Sequence, residues 1–568
     1  MARSTERDGW RNRIETLVLT RFSGLWRLAQ RVPPVRKVIN RALIDRAILK
    51  TKTRPHQFSL MSPYTSWDSL TDRTYTARHL SPAPEDYTKN LPDPNIVKEL
   101  FRRSRETYRF SQRSTVLFTS FAQWFTDGFL RTDRENSNRN TSNHEIDLCQ
   151  IYGLIPSDTR LLREMRGGRL KTSQHKDGEY PPLFFDESLK EKEEFKDLKY
   201  RPVFPPDLPE ARKQFLFVGG VERVNVSVGY AMMSTLFLRE HNRICGELAK
   251  AYPTWDDERL FQTARNILIV VLLRIVVEDY VNHITPYHFK FSALPWDFKR
   301  SSWYRTNWMT VEFNLLYRWH SMVPNAILVE DDFKPIAEGL FNNALLLQHG
   351  LGASFRSASR QRAAEVGLLN TTDHLVEEAE VKAIALGRKA NLRGYNDYRE
   401  LFHFPRVTDW SQITGNKSIQ VKLRELYRSV DKLELFVGLF AEDVREGSAL
   451  SPLIGRMVGV DAFSQVLTNP LLSINVFKPE TFSNVGWKII QETSMLEDVL
   501  RRNVRGEDLD GYIGFLQPPD VADEPLDLAW HPEPRARSSE SATMMPEPAL
   551  ELVTGQNAFD EHQLYKKK

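Results

Sequence analysis

The chain of 568 residues has only two cysteines, Cys149 and Cys245. So few cysteines cannot form a disulfide framework, and a reducing compartment is expected. The N-terminus lacks the apolar segment of a secretory signal, and no uninterrupted apolar run reaches the roughly 18 residues that a membrane-spanning helix needs. A net charge of +4 is too small for this length to indicate a nucleic-acid partner. These absences disfavour a disulfide-rich secreted protein, an integral membrane protein and a nucleic-acid-binding protein.

The N-terminal region is rich in basic and apolar residues. Residues 11–50 contain ten Lys/Arg and two acidic residues. Apolar side chains from Ile14 to Ala29 recur at steps of three and four, which predicts one helix face, and Pro33 and Pro34 are expected to end that helix. A second apolar stripe runs over 35–43. Basic amphipathic helices with Trp and Phe are typical of a membrane surface. A pair of helices docked on the core is the alternative, but the density of Trp and Arg favours the membrane.

The remainder of the chain is predicted to be mainly α-helical. Most of 95–516 has helical spacing of its apolar residues, and one of the predicted helices is Phe333–Gly350. From residue 518 to 568 the chain is rich in Pro and acidic residues, which predicts a mostly disordered tail. We therefore divide the chain into a tail (1–10), membrane-binding helices (11–50), a catalytic domain (51–517) and a C-terminal tail (518–568).

The stretch VEFNLLYRWHSMVP, at 311–324, contains a tyrosine and a histidine that invite a chemical interpretation. On a helix Tyr317 and His320 would share one face. A histidine can bind haem iron, and an oxidised haem could convert a neighbouring phenol into a tyrosyl radical that takes a hydrogen atom from an activated C–H bond. The alternative is a core tyrosine with a hydrogen-bonded histidine. The pattern by itself favours that alternative.

Longer motifs place the chain beside a known family. EFNLLYRWH, YAMMSTLFLREHNRICGEL (230–248), FAQWFTDGFLRTD (121–133), HEIDLCQIYG (144–153) and LFQTARNILIVVLLRIVVEDYVNHITPYHF (260–289) resemble the cyclooxygenases of the animal haem peroxidase superfamily, in order along the chain. The resemblance implies a mainly α-helical peroxidase domain with haem b between its helices. It also implies that residues 11–50 form a monotopic membrane-binding domain.

The resemblance assigns roles to residues that their spacing alone would not. It implies that Tyr317 is the radical tyrosine and His320 the proximal ligand of the haem iron. Arg46 and Tyr287 take the places of the pair that holds a fatty-acid carboxylate, which suits a planar guanidinium and a phenol donor. The apolar tail of a polyunsaturated fatty acid would then run toward Tyr317 past Tyr280, Val281, Ile284, Phe313 and Leu316. Addition of O2 to the resulting carbon radical would give a hydroperoxide or an endoperoxide.

The distal side departs from the family pattern. Gln123 is kept, but Asp127 stands where the family has a histidine. Because peroxide cleavage needs a base that moves a proton between the two oxygens, we expect weak peroxidase turnover. Arg223 lies where the broader superfamily carries a distal arginine, and a cation there could stabilise the charge that develops on a peroxide. A loop arginine without a catalytic role is the alternative.

Other departures from the family pattern do not determine which oxygenated product is formed. Phe436 replaces a tyrosine behind the proximal histidine, and Arg318 replaces a histidine between the key tyrosine and tryptophan. The channel serine of the family corresponds to Ser464 if a gap is allowed and to Ala462 if it is not.

The expected protein is a haem-dependent fatty-acid dioxygenase on the cytoplasmic face of a membrane, with a homodimer left open. A haem peroxidase for small reductants and a catalytically impaired haem-binding membrane protein are the alternatives.

Overall fold

The computed structural model describes residues 10–49, 66–67, 71–133, 135–294, 298–304, 306–504 and 509–525. The helices of six or more residues are α1 (Trp10–Arg21), α2 (Ser23–Arg31), α3 (Pro33–Leu49), α4 (Val116–Asp127), α5 (Pro156–Leu162), α6 (Val228–Ala251), α7 (Asp257–Ile275), α8 (Val311–Leu316), α9 (Asn343–His349), α10 (Leu351–Arg360), α11 (Val381–Lys389), α12 (Tyr395–Leu401), α13 (Lys417–Tyr427), α14 (Leu435–Ala441), α15 (Pro452–Leu467), α16 (Pro479–Glu492) and α17 (Leu496–Asn503). Single helical turns lie between them, and two π-helical segments occupy Val276–Val281 and Val376–Glu380. The predicted mainly α-helical fold is confirmed.

Short antiparallel strand pairs connect the helices. They are β1 (Phe110–Thr115) with β6 (Arg362–Ala364), β2 (Ser173–His175) with β3 (Gly178–Tyr180), and β4 (Ala326–Val329) with β5 (Asp332–Pro335). The hairpin of β4 and β5 corrects the predicted helix Phe333–Gly350, because Val329 pairs with Asp332 across a two-residue turn. Glu330 has the positive φ, 56°, that such a tight turn requires. The helix in this region begins only at Asn343.

Long apolar helices form the core. Helix α6 packs against α4 and α7, and α7 packs against α16. Among the described residues one helical stretch, Asp257–Ile284, is long and apolar enough to cross a membrane. However, 72% of its most apolar 18 residues are buried inside the protein. It is therefore a core helix, and its π-helical end, Val276–Val281, leads toward the functional site.

The N-terminal helices lie against one edge of this core. The chain breaks at Phe22 (φ −95°, ψ 60°), so the first predicted helix is two helices, α1 and α2. Pro33 begins α3, since proline is favoured at the first position of a helix. The His288 N–H donates to the Leu19 carbonyl, 3.1 Å away, and Asp45 accepts from the Trp303 indole at 2.8 Å. These contacts dock the N-terminal helices along one side of the core.

The C-terminal end of the domain extends beyond the predicted boundary. Ala522 N–H donates to the Arg360 carbonyl at 2.6 Å, and the buried Glu524 carboxylate accepts the Ala326 N–H at 2.6 Å. Residues 518–525 therefore pack on the domain rather than in a disordered tail. The rest of that predicted tail, 526–568, lies outside the described residues.

Candidate active site

A cavity of about 240 Å³ contains most of the predicted catalytic residues. Its wall includes Gln123 and Asp127 from α4, Arg223 from the segment before α6, and Tyr317 and His320 from the turn after α8. These side chains come from three distant parts of the chain. Their convergence on one cavity supports a shared function.

The turn that carries Tyr317 and His320 is not helical throughout. Helix α8 is capped by the Thr310 hydroxyl, which accepts from the Phe313 N–H at 3.1 Å, and it ends at Leu316. Tyr317 has φ −90° and ψ 11°, and His320 begins a single 3₁₀ turn. The predicted shared helix face is therefore wrong, although both side chains still line the cavity.

His320 has a buried carboxylate behind it. Its Nδ1 lies 3.4 Å from Oε1 of Glu380, a residue of the π-helical segment Val376–Glu380. The same Glu380 oxygen accepts a hydrogen bond from the Thr371 hydroxyl at 3.0 Å. With Nδ1 facing this carboxylate, Nε2 is the nitrogen left for a metal ion.

Tyr317 is enclosed by aromatic rings. Its ring stacks on Trp319 with centroids 4.6 Å apart and meets the edge of Phe313 at 4.7 Å. Burial raises the pKa of Tyr317 above its usual range, and the neighbouring Tyr280 hydroxyl opposes part of that rise. In the described part of the chain, neither the Tyr317 nor the Tyr280 hydroxyl makes a hydrogen bond of standard distance and angle. The phenol is therefore protonated at neutral pH and must release a proton when it is oxidised.

The distal residues form a buried ion pair. Asp127 lies 3.1 Å from Arg223, and it also accepts the Tyr230 hydroxyl at 2.7 Å. Within the described residues, Nε and Nη1 of Arg223 make no hydrogen bond. The Gln123 amide oxygen accepts from the Ser227 hydroxyl at 3.4 Å. Both Asp127 oxygens are thus engaged, and the Nη1 atom of Arg223 is the one that faces Asp127.

Comparison with known proteins shows the family to which the chain belongs. The sequence matches the animal haem peroxidase family over residues 131–511. The chain belongs to the animal haem peroxidase family. It is 32% identical over 501 residues to prostaglandin G/H synthase 2 of Mus musculus, covering 86% of this chain and 80% of that protein. The Gallus gallus prostaglandin G/H synthase 2 is also 32% identical, over 502 residues and the same shares of the two chains.

Solved structures share the fold of this haem peroxidase at lower identity. Peroxidase A from Dictyostelium discoideum superimposes with a TM-score of 0.62 at 20% identity, covering 79% of this chain and 95% of that one. The Oryza sativa fatty acid alpha-dioxygenase superimposes with a TM-score of 0.63 at 17% identity, covering 89% and 96%.

The cofactor of this haem peroxidase is haem b, and the cavity residues fit it. A histidine with its Nδ1 directed at a buried carboxylate is the arrangement that a metal-bound imidazole adopts. Apolar side chains such as Val226, Met232 and Leu345 supply walls suited to a porphyrin. Of the chain's own residues, His320 would hold the iron, with Gln123 and Arg223 in the same cavity.

The predicted substrate residues lie on three separate parts of the chain: Arg46 on α3, Tyr280, Val281 and Tyr287 on one segment, and Phe313 and Leu316 on α8. Tyr280 and Val281 end the π-helical segment beside Tyr317, and the chain continues to Tyr287, whose ring contacts Phe291 at 6.3 Å. The predicted tail-contacting residues are all buried, namely Tyr280, Val281, Ile284, Phe313 and Leu316.

Arg46 lies at the N-terminal helices and already binds a carboxylate. Its Nε is 3.3 Å from the Glu15 carboxylate of α1, and 51% of the Arg46 side chain is exposed. Among the described residues no hydrogen bond joins Arg46 to Tyr287, and their shared role in holding a carboxylate stays a prediction. The backbone bond from His288 to Leu19 nevertheless holds α1 next to the Tyr287 loop.

Three residues near the haem site were missed by sequence reasoning. Glu380 had a usable signal, because it shares helical spacing with Val376 and Ala379 and so lies on a buried face. Tyr230 and His374 had none, since their roles depend on tertiary contacts. His374 lines the cavity, and burial lowers its pKa to about 4.

The channel serine remains unassigned. Ser464 and Ala462 are both buried on α15, and the Ser464 hydroxyl donates to the Asp461 carbonyl at 3.0 Å. Neither candidate is favoured by these contacts.

Proposed function

We propose that this protein is a haem-dependent fatty-acid dioxygenase of the cyclooxygenase type. The observation that carries the proposal is a half-buried Tyr317, whose hydroxyl lies buried beside that of Tyr280, in the same cavity as His320. The names of its relatives, prostaglandin G/H synthase and fatty acid alpha-dioxygenase, support the same class of activity.

Tyr317 would perform the hydrogen abstraction. Bound haem supplies the one-electron oxidation, and Tyr317 gives up an electron and its hydroxyl proton to become a phenoxyl radical. This radical takes a hydrogen atom from an activated C–H bond of a polyunsaturated fatty acid, so an O–H bond forms as the C–H bond breaks. O2 adds to the carbon radical, and the resulting peroxyl radical takes the hydrogen atom back from the Tyr317 hydroxyl, which gives a hydroperoxide and regenerates the Tyr317 phenoxyl radical. The aromatic enclosure excludes water that would quench the radical.

Arg46 and Tyr287 are proposed to hold the substrate carboxylate. The ion pair with Glu15 supports this role, because it places a carboxylate within 3.3 Å of the Arg46 guanidinium. The proposal needs an apolar route from Arg46 past Val281 and Leu316 to Tyr317. Both of these side chains are buried, so they would have to move apart to admit an acyl chain.

Peroxidase turnover is proposed to be weak. Asp127 is held by Arg223 and Tyr230, so it is poorly placed to carry a proton between peroxide oxygens. The Arg223 donors could still polarise a bound peroxide. An outside oxidant or a slow peroxide reaction would then be needed to form the radical on Tyr317.

The N-terminal helices are proposed to attach the enzyme to the cytoplasmic face of a membrane. Large apolar side chains of α1, α2 and α3 are exposed, including Leu25 (59%), Leu28 (62%) and Val38 (68%). Arginines on the same helices would face anionic headgroups. A fatty acid dissolved in the bilayer could then enter beside Arg46.

Oxygen uptake and product analysis test the proposed activity. Haem-loaded protein is incubated with linoleate, arachidonate or saturated stearate, and the products are analysed by mass spectrometry. We expect uptake of O2 and oxygenated products with the polyunsaturated acids only. No uptake, together with peroxide-dependent oxidation of guaiacol, would instead identify a haem peroxidase for small reductants.

A further inference from the structure

We propose that Glu380 is a positioning residue that holds the Nδ1 proton of His320 and increases electron donation from that imidazole to the haem iron. The inference rests on the assignment of His320 as the iron ligand. It adds a role to a residue that neither the sequence motif nor the catalytic scheme above uses.

The geometry places one carboxylate oxygen behind the imidazole. Glu380 Oε1 lies 3.4 Å from His320 Nδ1 and accepts the Thr371 hydroxyl at 3.0 Å. Within the described residues, Nδ1 of His320 and Oε2 of Glu380 make no ordinary hydrogen bond. A small shift of the imidazole would convert the close approach into a full hydrogen bond.

Burial of the Glu380 carboxylate is unfavourable unless a neighbouring group compensates its charge. The residue is 1% exposed, and an isolated buried carboxylate costs several kcal/mol. The charged or polar groups that face it are His320, Thr371 and the guanidinium of Arg318. Burial lowers the pKa of Arg318 to about 10, and the Glu380 charge opposes that fall. Glu380 is therefore either a partner of His320, as we propose, or only a counter-ion of Arg318.

The chemistry of the imidazole favours the first role. A histidine that binds iron through Nε2 carries its remaining proton on Nδ1 and needs an acceptor there. A carboxylate acceptor makes the imidazole more basic than a neutral acceptor does, which lowers the reduction potential of the metal.

The family tyrosine behind the histidine cannot supply that acceptor in this chain. Its place is taken by Phe436, whose ring stacks on Phe101 with centroids 5.3 Å apart.

Stronger electron donation from the proximal side would offset the altered distal side. Asp127 is committed to Arg223 and Tyr230, so proton transfer to a peroxide is impaired. A more electron-rich haem iron would assist cleavage of the peroxide O–O bond from the proximal side. Glu380 would in this way compensate in part for the missing distal histidine.

The test compares Glu380→Gln, Glu380→Asp and a control, Glu378→Gln, in haem-loaded protein. Glu378 lies two residues away in the same π-helical segment and faces Lys382 at 3.6 Å. The measurements are the Fe(III)/Fe(II) midpoint potential and the iron–histidine stretching band of the ferrous protein by resonance Raman spectroscopy. Glu380→Gln keeps the size of the side chain but removes the charge.

We expect Glu380→Gln to raise the midpoint potential and lower the frequency of the iron–histidine band. Glu380→Asp should give intermediate values, and Glu378→Gln should match the parent protein. An unchanged potential and band in a haem-replete Glu380→Gln protein would overturn the inference and leave Glu380 as a counter-ion of Arg318. If the parent protein shows no iron–histidine band at all, the assignment of His320 fails instead, and with it the proposed function.

Discussion

The Asp127 carboxylate and the Arg223 guanidinium are buried 3.1 Å apart in the wall of the haem cavity. The family resemblance predicts a histidine at the position of Asp127, and a histidine can take up and release a proton at neutral pH. The Asp127 carboxylate is instead held by the Arg223 guanidinium and the Tyr230 hydroxyl. We therefore expect this pair to limit the proposed peroxidase turnover without limiting the proposed dioxygenase reaction.

Restoring the distal histidine should raise peroxidase turnover. We expect Asp127→His to increase peroxide-dependent oxidation of guaiacol by about 10²-fold, the lower end of the range for general acid–base catalysis. Asp127→Asn is the matched control, because it keeps the shape of the side chain without adding a base. Equal turnover in the parent and Asp127→His proteins would show that Asp127 does not limit the reaction.

Removing the Arg46 guanidinium should weaken substrate binding. An ion pair at this half-exposed guanidinium contributes about 0–1 kcal/mol, so Arg46→Ala should raise KM for a free fatty acid by up to about 5-fold while kcat changes little. The control is Arg41→Ala, an exposed arginine of α3 that pairs with Asp45. A KM that is unchanged in Arg46→Ala would place the carboxylate elsewhere.

Glu15 should compete with the substrate for Arg46. Because the Arg46–Glu15 pair is half exposed, it contributes only about 0–1 kcal/mol. Glu15→Gln should therefore lower KM for a free fatty acid by at most about 5-fold and leave KM for its methyl ester unchanged. An equal decrease for acid and ester would refute competition for the guanidinium.

Exposed apolar side chains should anchor the protein to lipid. Replacing Leu25, Leu28 and Val38 by serine removes about 1 kcal/mol or more of apolar burial at each position, so partitioning onto anionic vesicles should fall by about 100-fold. The control replaces Val421 and Ile474, which are exposed on other parts of the surface. Cosedimentation with vesicles measures both. Equal partitioning of the two variants would mean that α1 to α3 are not the membrane contact.

A buried aspartate should make stability depend on pH. Burial raises the pKa of Asp279 to about 7, and its Oδ2 accepts the Leu496 N–H at 3.0 Å. The unfolded chain loses this proton near pH 4 and the folded chain near pH 7, so stability falls as pH rises between those values. Asp279→Asn should stabilise the protein by about 4 kcal/mol at pH 8 and hardly at pH 4.5. Thermal unfolding at both pH values, with the exposed Asp86→Asn as control, measures this.

The sequence predicted the helical fold and the site residues by different routes. Periodicity predicted the long helices α6 and α7, because their buried faces repeat every three or four residues. It failed at β4 and β5, because the hairpin turns at Glu330 and Asp331 without the glycine or asparagine that usually marks such a turn.

Only the motif resemblance predicted that the site residues lie together. Gln123 and His320 are far apart in the sequence and meet only through tertiary packing, which no local pattern encodes. The resemblance could not reveal the Glu15 carboxylate on Arg46, because that contact depends on how α1 docks against α3. Nor did it reveal Glu380 behind His320, because the quoted motifs do not include that residue.

The most direct test of the central claim is oxygen consumption by the haem-loaded Tyr317→Phe protein with arachidonate, measured beside the parent protein. A phenylalanine keeps the aromatic packing with Phe313 and Trp319 but cannot form a phenoxyl radical. We predict that the parent consumes O2, and that Tyr317→Phe consumes none while keeping the same haem absorption spectrum. Continued O2 uptake by Tyr317→Phe at the parent's rate would contradict the radical role of Tyr317.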